Sequence, residues 1–507
     1  MLKFKKALAL CLALGISFTG ISSSFACTGV IVGKDLTTDG SFIFGRTEDY
    51  ERNRTKRLVV HPAGEFKKGE KLVDVNNGFE FIHPEDSYKF SSTPDSYNKP
   101  EDMEAGVYDA AGFNEKGLAA FCTVSADYSD EIDAVDPYVD KGTNEASMTT
   151  VVLAHAKTAR EAVELMAKLI DEKGASMGDV VTFGDKNEVW YMEIYSGHQY
   201  CAIKYPDDKF SVFPNAFWLG GVDLNDKENV IHSKDIVTIA KKAGTYKETS
   251  DGLMDLAASY NPKKLSNGVR SRVWSGIHAL DSNSKIAYDA EDFPLLNELS
   301  DKKIDIKDVL ALMRNRMENT DMKVTDNKKL FKKTNEYKYP IGNIWTMQAH
   351  IFQLKPNYPS EAPGIMWLTP ASPLNIPFVP VFADINDTHE AYKNDSPKYS
   401  SNSFYWVGSA VNDMVTSDRN RFGKQMREKV LKFEDKEMKQ LPALEQKWLD
   451  AYKTDKAEAA KISTQITMNY CDEAFKLEKQ MKDDLSAMTG FYTFDSWNNN
   501  SVLKSMK

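Results

Sequence analysis

CTGVIVGKDLTTDGSFIFGRTEDY, residues Cys27 to Tyr50, is the stretch whose reading decides the fold. It runs as an apolar strand over Val30 to Gly33, a polar turn with Gly40, and a second strand from Ser41 to Gly45 that ends in Arg46, Thr47, Glu48 and Asp49. Polar and glycine residues between two β-rich runs make a hairpin. The hairpin returns Arg46 and Asp49 to the neighbourhood of Cys27. An arginine there stabilises a thiolate, and an aspartate there can hold an ammonium group through a charge-assisted bond.

What precedes Cys27 decides its chemistry. Lys3, Lys5 and Lys6 lead into an apolar run from about Ala7 to Phe18, followed by TGISSSFA, with Ser24 and Ala26 at the third and first positions before Cys27. This pattern predicts a secretory signal peptide over residues 1–26, cut after Ala26, and an exported, secreted or cell-surface protein. The run is short for the ~30 Å of a bilayer core, which disfavours a retained anchor. The cut removes three lysines and no acid, taking the net charge from −10 to −13. It also makes Cys27 the first residue of the mature chain, with a thiol and a free α-amine on one residue. An α-amine with a pKa of about 7.7–8.0 is a usable base near neutral pH, and a thiol at about 8.5 needs little help to ionise. A cysteine after a signal peptide can instead carry a lipid anchor. SFAC, however, has Ser24 and Phe25 where a lipobox prefers leucine and then a small residue.

Composition narrows the remaining classes. At about 150 residues per domain, 507 residues allow roughly three domains or one large domain with appendages. With 42% hydrophobic and 27% charged residues and a mean hydropathy of −0.47, the chain is globular. The 64 basic residues against 74 acidic ones argue against phosphate neutralisation on a nucleic acid. Cys27, Cys122, Cys201 and Cys471 are spaced without a C-x-x-C, and the eight histidines without an H-E-x-x-H, so no metal is expected. Neither a G-x-S-x-G elbow nor a G-x-G-x-x-G turn occurs, and no cofactor is expected.

The opening is followed by AAGFNEKGLAAFCTVSAD (Ala110 to Asp127), AREAVELMAKLIDEKGASMGDVVTFGDKNEVWYMEIYSGHQYCA (Ala159 to Ala202), VFPNAFWLGGVD (Val212 to Asp223) and VRSRVW (Val269 to Trp274). With MQAHIFQLKP, GIMWLTPASPLNIPFVPVFADI and SFYWVGSAV, these pieces make the chain resemble the dipeptidase family of N-terminal nucleophile hydrolases, cousins of penicillin V acylase and conjugated bile acid hydrolase. The resemblance implies an α+β fold, a four-layer αββα sandwich, that hydrolyses dipeptides or short peptides. Cys27 matches the nucleophile, Arg46 and Asp49 the R-x-x-D pair beside it, and Asn215 the asparagine of the oxyanion hole. Arg272 matches a later active-site arginine, with Arg270 as the alternative alignment. A second oxyanion asparagine of the acylase cousins is replaced here by FCTVSAD, where Thr123 is the candidate donor.

The residues themselves agree in kind. VVTFGD and EVWYMEI are β-rich runs around a turn. Ala162, Val163, Leu165, Met166, Leu169 and Ile170 recur at helical spacing up to Gly174. Trp190 and Trp274 read as core aromatics. Asn98 to Asp109 and Asp127 to Asn144 read as acidic loops over the site. From about Ser417 onward, Ile466, Tyr470, Leu477, Met481 and Leu485 keep helical spacing, and Pro442 suits a first helical turn. The expected organisation is therefore a hydrolase domain over 27–400 and a helical C-terminal extension over 401–507, packed on the body or on a partner subunit in a homo-oligomer. An amide acylase acting on a non-peptide conjugate, and a lipid-anchored surface binding protein, are the competing functional readings.

Overall fold

The structure is a computed structural model that describes residues 27–498 apart from 51, 53, 75, 97–108, 123 and 319. The expected signal peptide over residues 1–26, Thr123 and nearly all of the Asn98 to Asp109 segment lie outside the described residues.

The hairpin forms, with longer arms than its apolar residues alone suggest: β1 (Thr28–Val32) and β2 (Phe42–Asp49) are antiparallel, with Thr28 opposite Thr47 and Gly29 opposite Arg46. The turn passes through Gly40 at φ 75°, a left-handed conformation that suits glycine. The polar residues Arg46 to Asp49 stay in the strand because it is paired on both sides. Later in the chain come β3 (Ala111–Phe113), β4 (Ala119–Phe121), β5 (Asp179–Gly184), β6 (Val189–Ile194), β7 (Tyr200–Lys204) and β8 (Phe210–Pro214). They are followed by β9 (Val230–His232), β10 (Thr346–Leu354), β11 (Gly364–Thr369) and β12 (Val379–Phe382). One six-stranded sheet runs in the order β8-β1-β2-β10-β11-β12, the other β9-β7-β6-β5-β4-β3.

The two sheets meet face to face through aromatic pairs: Phe44 and Phe121 with ring centres 6.2 Å apart, Phe113 and Phe352 at 4.9 Å, Tyr191 and Phe213 at 5.1 Å. Strand β6 shows why its residues are nearly all apolar. Side chains alternate between faces, so Val189 and Tyr191 enter the core between the sheets while Trp190, Met192 and Ile194 enter a second core under helices α1 (Glu145–His155) and α2 (Ala159–Lys173). Helix α2 is capped by Thr158, whose side chain accepts from the Glu161 N–H, and stops at Gly174, φ 78°. On the first sheet, α3 (Asn267–Leu280) packs against β8; Trp274 is only partly buried there. Asp127 to Asn144 is largely irregular, with one helical turn at Asp130–Asp133.

The C-terminal region is helical, α4 (Phe404–Ser417), α5 (Arg419–Tyr452) and α6 (Lys456–Asn498). These helices lie on the body and share its core: Phe422, Met426, Val430, Leu441 and Trp448 belong to the same apolar cluster as β1 and β2. A buried bidentate pair fixes α5, with Arg314 Nη1 and Nη2 at 3.0 and 2.5 Å from the Glu434 carboxylate. Pro442 is not in a first turn. It lies inside α5, which continues through it although proline removes one N–H from the helical ladder; Glu437, Leu441 and Trp448 around it are buried and hold the helix in place. No described helix is long and apolar enough to cross a membrane.

Candidate active site

Cys27 stands immediately before β1 and lines a cavity of about 200 Å³. The lining carries four carboxylates, Glu48, Asp49, Asp95 and Glu145, and one guanidinium, Arg54, among the described residues.

Behind the thiol the charges alternate. The antiparallel register places Arg46 next to the start of β1, and its Nη1 donates to Cys27 Sγ at 3.6 Å. Arg46 Nη2 lies 3.4 Å from Glu48; the Lys56 ammonium lies 3.1 Å from Glu48 and 2.5 Å from Asp95. Gln348 donates to Glu48 at 2.9 Å. Burial opposes ionisation of Glu48, yet Lys56 and Arg46 hold its carboxyl below the usual range. For Asp95 burial prevails and pushes the carboxyl up. Burial pushes the Cys27 thiol up to about 12 against the pull of Arg46, with Asp49 and Glu48 adding to the rise and the Asp49 N–H opposing it.

Asp49 sits where β2 slips register between Glu48 and Asp49 against β10. Its two oxygens accept from Asn343 Nδ2 at 2.7 Å and Thr346 Oγ1 at 2.6 Å. Burial raises the Asp49 carboxyl to about 6 despite these donors.

The other side of Cys27 is held by α3. Arg272 Nε donates to Gly268 O at 2.9 Å, Nη1 to Cys27 O and to Thr28 Oγ1, the latter at 3.1 Å, and Nη2 to Asn215 Oδ1 at 3.0 Å. Asn215 follows β8, whose Pro214 is opposite Thr28, and its Nδ2 donates to Ser125 O at 2.8 Å. The same Nδ2 lies 3.4 Å from Ser125 Oγ, so the amide is held by Ser125 on its nitrogen side and by Arg272 on its oxygen side.

The structure thus brings together Cys27, Arg46, Asp49, Asn215 and Arg272. Arg270 is not part of this cluster; two residues earlier on the helix it turns away to Ala290 O and Tyr288 O and over the Phe293 ring. Sequence reasoning left Glu48 without a role although it stands in the quoted R-T-E-D, and it did not find Lys56, Asp95, Asn343, Thr346, Ser125 or Glu145. Among these Glu48 and Ser125 stood in quoted runs, R-T-E-D and FCTVSAD; the others carried no signal. Cys122, Cys201 and Cys471 are free and buried, with thiols pushed up by burial.

Comparison with known proteins follows this geometry. The model of Peptidase family C69 matches residues 26–432. "Probable dipeptidase B" of Streptococcus pyogenes serotype M1 is 44% identical over 478 residues, 92% of this chain and 94% of that protein. "Probable dipeptidase" of Latilactobacillus sakei is 30% identical over 400 residues, 78% of this chain and 82% of that protein. Among solved structures, a mutant conjugated bile acid hydrolase from Clostridium perfringens is similar at 16% identity and a TM-score of 0.26, covering 68% of this chain and 89% of that one. The matched span contains every residue of the cluster around Cys27, and on that span and the identity to its relatives the chain is a peptidase belonging to Peptidase family C69.

Proposed function

We propose that the chain is an exported dipeptidase, built as a four-layer αββα sandwich, whose nucleophile is Cys27 once the residues up to Ala26 have been removed. The observation that carries this reading is the placement of Cys27 Sγ in an acidic cavity with Arg46 at 3.6 Å. The relatives' names, dipeptidases at 44% and 30% identity, support the substrate class. While a peptide bond joins Ala26 to Cys27, the Cys27 nitrogen is an amide and cannot act as a base, and the buried thiol keeps its proton. Cleavage creates an α-amine on the same residue.

In the reaction the α-amine takes the thiol proton and the thiolate attacks the peptide carbonyl carbon. The oxyanion is received by Asn215 Nδ2–H together with a second donor. Collapse breaks the C–N bond, the leaving amine takes the proton, and a thioester remains on Sγ. The α-amine then removes a proton from water, whose oxygen attacks the thioester and returns the thiol. The carboxylates facing Cys27 suit a substrate with a free ammonium. This favours a dipeptide over the non-peptide conjugate of an acylase. A lipid anchor fits poorly, because Cys27 is 4% exposed and its sulfur faces Arg46.

The test is processing. A variant with an uncleavable Met-Ala extension before Cys27 is expected to fold without turning over L-alanyl-L-alanine, and intact mass of the active protein is expected to show an unmodified Cys27 terminus. Full turnover with the extension in place, or from Cys27→Ala, overturns the mechanism.

A further inference from the structure

The run EVWYMEI holds a residue, Glu193, that the reaction above does not use. Glu193, next to the last residue of β6, is fully buried. Its Oε1 accepts from Tyr191 Oη at 2.6 Å and from the Trp218 N–H at 2.5 Å, and the Leu219 N–H lies 3.2 and 3.3 Å from its two oxygens. Burying a carboxylate is costly unless donors surround it; here the donors include two consecutive peptide groups of one turn.

That turn follows Pro214, the last residue of β8, and begins with Asn215. Outside any strand, its backbone is held mainly by side chains: Glu193 takes the N–H groups of Trp218 and Leu219, and Asn261 exchanges bonds with Phe217 N and O at 2.9 and 2.7 Å, while the Ala257 N–H donates to Leu219 O at 2.6 Å. Trp218 Nε1 closes the turn on Pro214 O at 2.7 Å. What the turn presents to the site is Asn215, which receives Arg272 at 3.0 Å, and Arg272 in turn holds Cys27 O and Thr28 Oγ1. A chain of direct hydrogen bonds and short backbone therefore runs from Glu193 to the residue before β1.

We propose that Glu193 is a positioning residue for the hydrolysis: by anchoring the turn of residues 215–219 it sets the aim of Asn215, and so governs turnover rather than substrate affinity. This rests on the reading of Cys27 as nucleophile and Asn215 as oxyanion donor. Burial pushes the Glu193 carboxyl up to about 7 against its donors, so both amides keep an acceptor in either form and a charge-assisted one above that pH; small misplacements of a transition-state donor are expensive in rate.

The test is a double-mutant cycle on the processed enzyme with L-alanyl-L-alanine. Glu193→Ala is expected to lower kcat about a hundredfold, the scale of losing an oxyanion donor, with KM little changed. Glu193→Gln, which keeps a carbonyl acceptor, is expected to retain more kcat. Because Glu193 acts through Asn215, adding Glu193→Ala to Asn215→Ala is expected to cost nothing further. Alkylation of Cys27 by iodoacetamide should proceed at the wild-type rate in Glu193→Ala, since Arg46 is untouched; a merely unfolded site would not give that result. If Glu193→Ala does not fold, the cycle with Glu193→Gln decides. Wild-type kcat in the Glu193 variants, or losses that add to that of Asn215→Ala, overturn the proposal while leaving the nucleophile standing. Full turnover by Cys27→Ala would instead remove the reading on which it rests.

Discussion

Replacing Arg46 by methionine keeps most of the stem's volume and removes the guanidinium 3.6 Å from Cys27 Sγ. Both residues are buried, so water screens their interaction little. Unit charges about 4 Å apart interact by about 4 kcal/mol at an effective dielectric constant of ~20. Since about 1.4 kcal/mol corresponds to one pH unit in an ionisation, the thiolate loses about three pH units of support. Glu48 acts in the same direction, because with Arg46 gone its charge is balanced chiefly by Lys56 at 3.1 Å. The assay is the pH dependence of Cys27 alkylation by iodoacetamide in the processed enzyme, which reports thiolate rather than thiol.

The alkylation midpoint is expected to rise by about three pH units in Arg46→Met, with kcat/KM falling in parallel at neutral pH. Arg46→Lys keeps a cation and is expected to move the midpoint by less than about one unit, although it loses the fork that reaches Sγ and Glu48 together. Leaving Glu48 undercompensated also lowers stability, so the measurement is made well below the thermal transition of each variant. A midpoint in Arg46→Met within about half a unit of the wild type, in a protein with a native circular dichroism spectrum, would refute the electrostatic argument.

Burial raises Asp49 to about 6, so the carboxylate that the proposed reading offers to a substrate ammonium is present above that pH and lost below it. Accordingly kcat/KM for L-alanyl-L-alanine is expected to fall below about pH 6 more steeply than for its N-acetyl form, and Asp49→Asn to narrow the difference between the two substrates. Arg314→Leu leaves Glu434 buried without its bidentate partner and is expected to cost about 3–5 kcal/mol in urea unfolding. Glu478 is buried and held well above its ordinary value by desolvation, so its neutral form is favoured in the folded chain. Its contribution is complete below the ordinary carboxylate range and is lost as pH rises. Glu478→Gln is therefore expected to match the wild-type melting temperature at pH 4 and exceed it at pH 8.

Legibility of the fold followed the range of the interactions. Hairpin β1-β2 and helix α2 could be read because their signals are local: alternation around Gly40, and helical spacing ended by Gly174. Extension of β2 to Asp49 was hidden, since charged residues remain in strand only because β10, some 300 residues later, pairs with them. For the same reason Asn343, Thr346 and Gln348 could not be linked to Asp49 and Glu48 from sequence. Lys56 and Asp95 look like surface charges when each is read alone, but Lys56 is neutralised by Glu48 and Asp95, and Asp95 is reached by Lys56 and Arg54. Pro442 was misread because its first-turn preference is a local rule, whereas the continuity of α5 is decided by burial of Leu441 and Trp448 on either side.

In the proposed mechanism the charge row behind Cys27 gives cleavage a part beyond providing a base. Arg46 is the cation nearest the sulfur, but Glu48, 3.4 Å from its guanidinium, cancels part of its field, and Lys56 is divided between Glu48 and Asp95. The row is therefore close to self-neutralised, and burial leaves the thiol near 12. No side chain on β2 can shift that balance without leaving another charge uncompensated. In the proposed reaction the proton that leaves Sγ goes to the α-nitrogen of the same residue, so the thiolate is born beside a new ammonium only a few bonds away. That pair adds a positive charge that the buried row lacks, at a point where Arg272 already holds the Cys27 carbonyl in place. An uncut chain has the cavity, the arginines and the carboxylates, yet it can form neither the base nor this ion pair, which is why the extension before Cys27 should silence an otherwise folded enzyme.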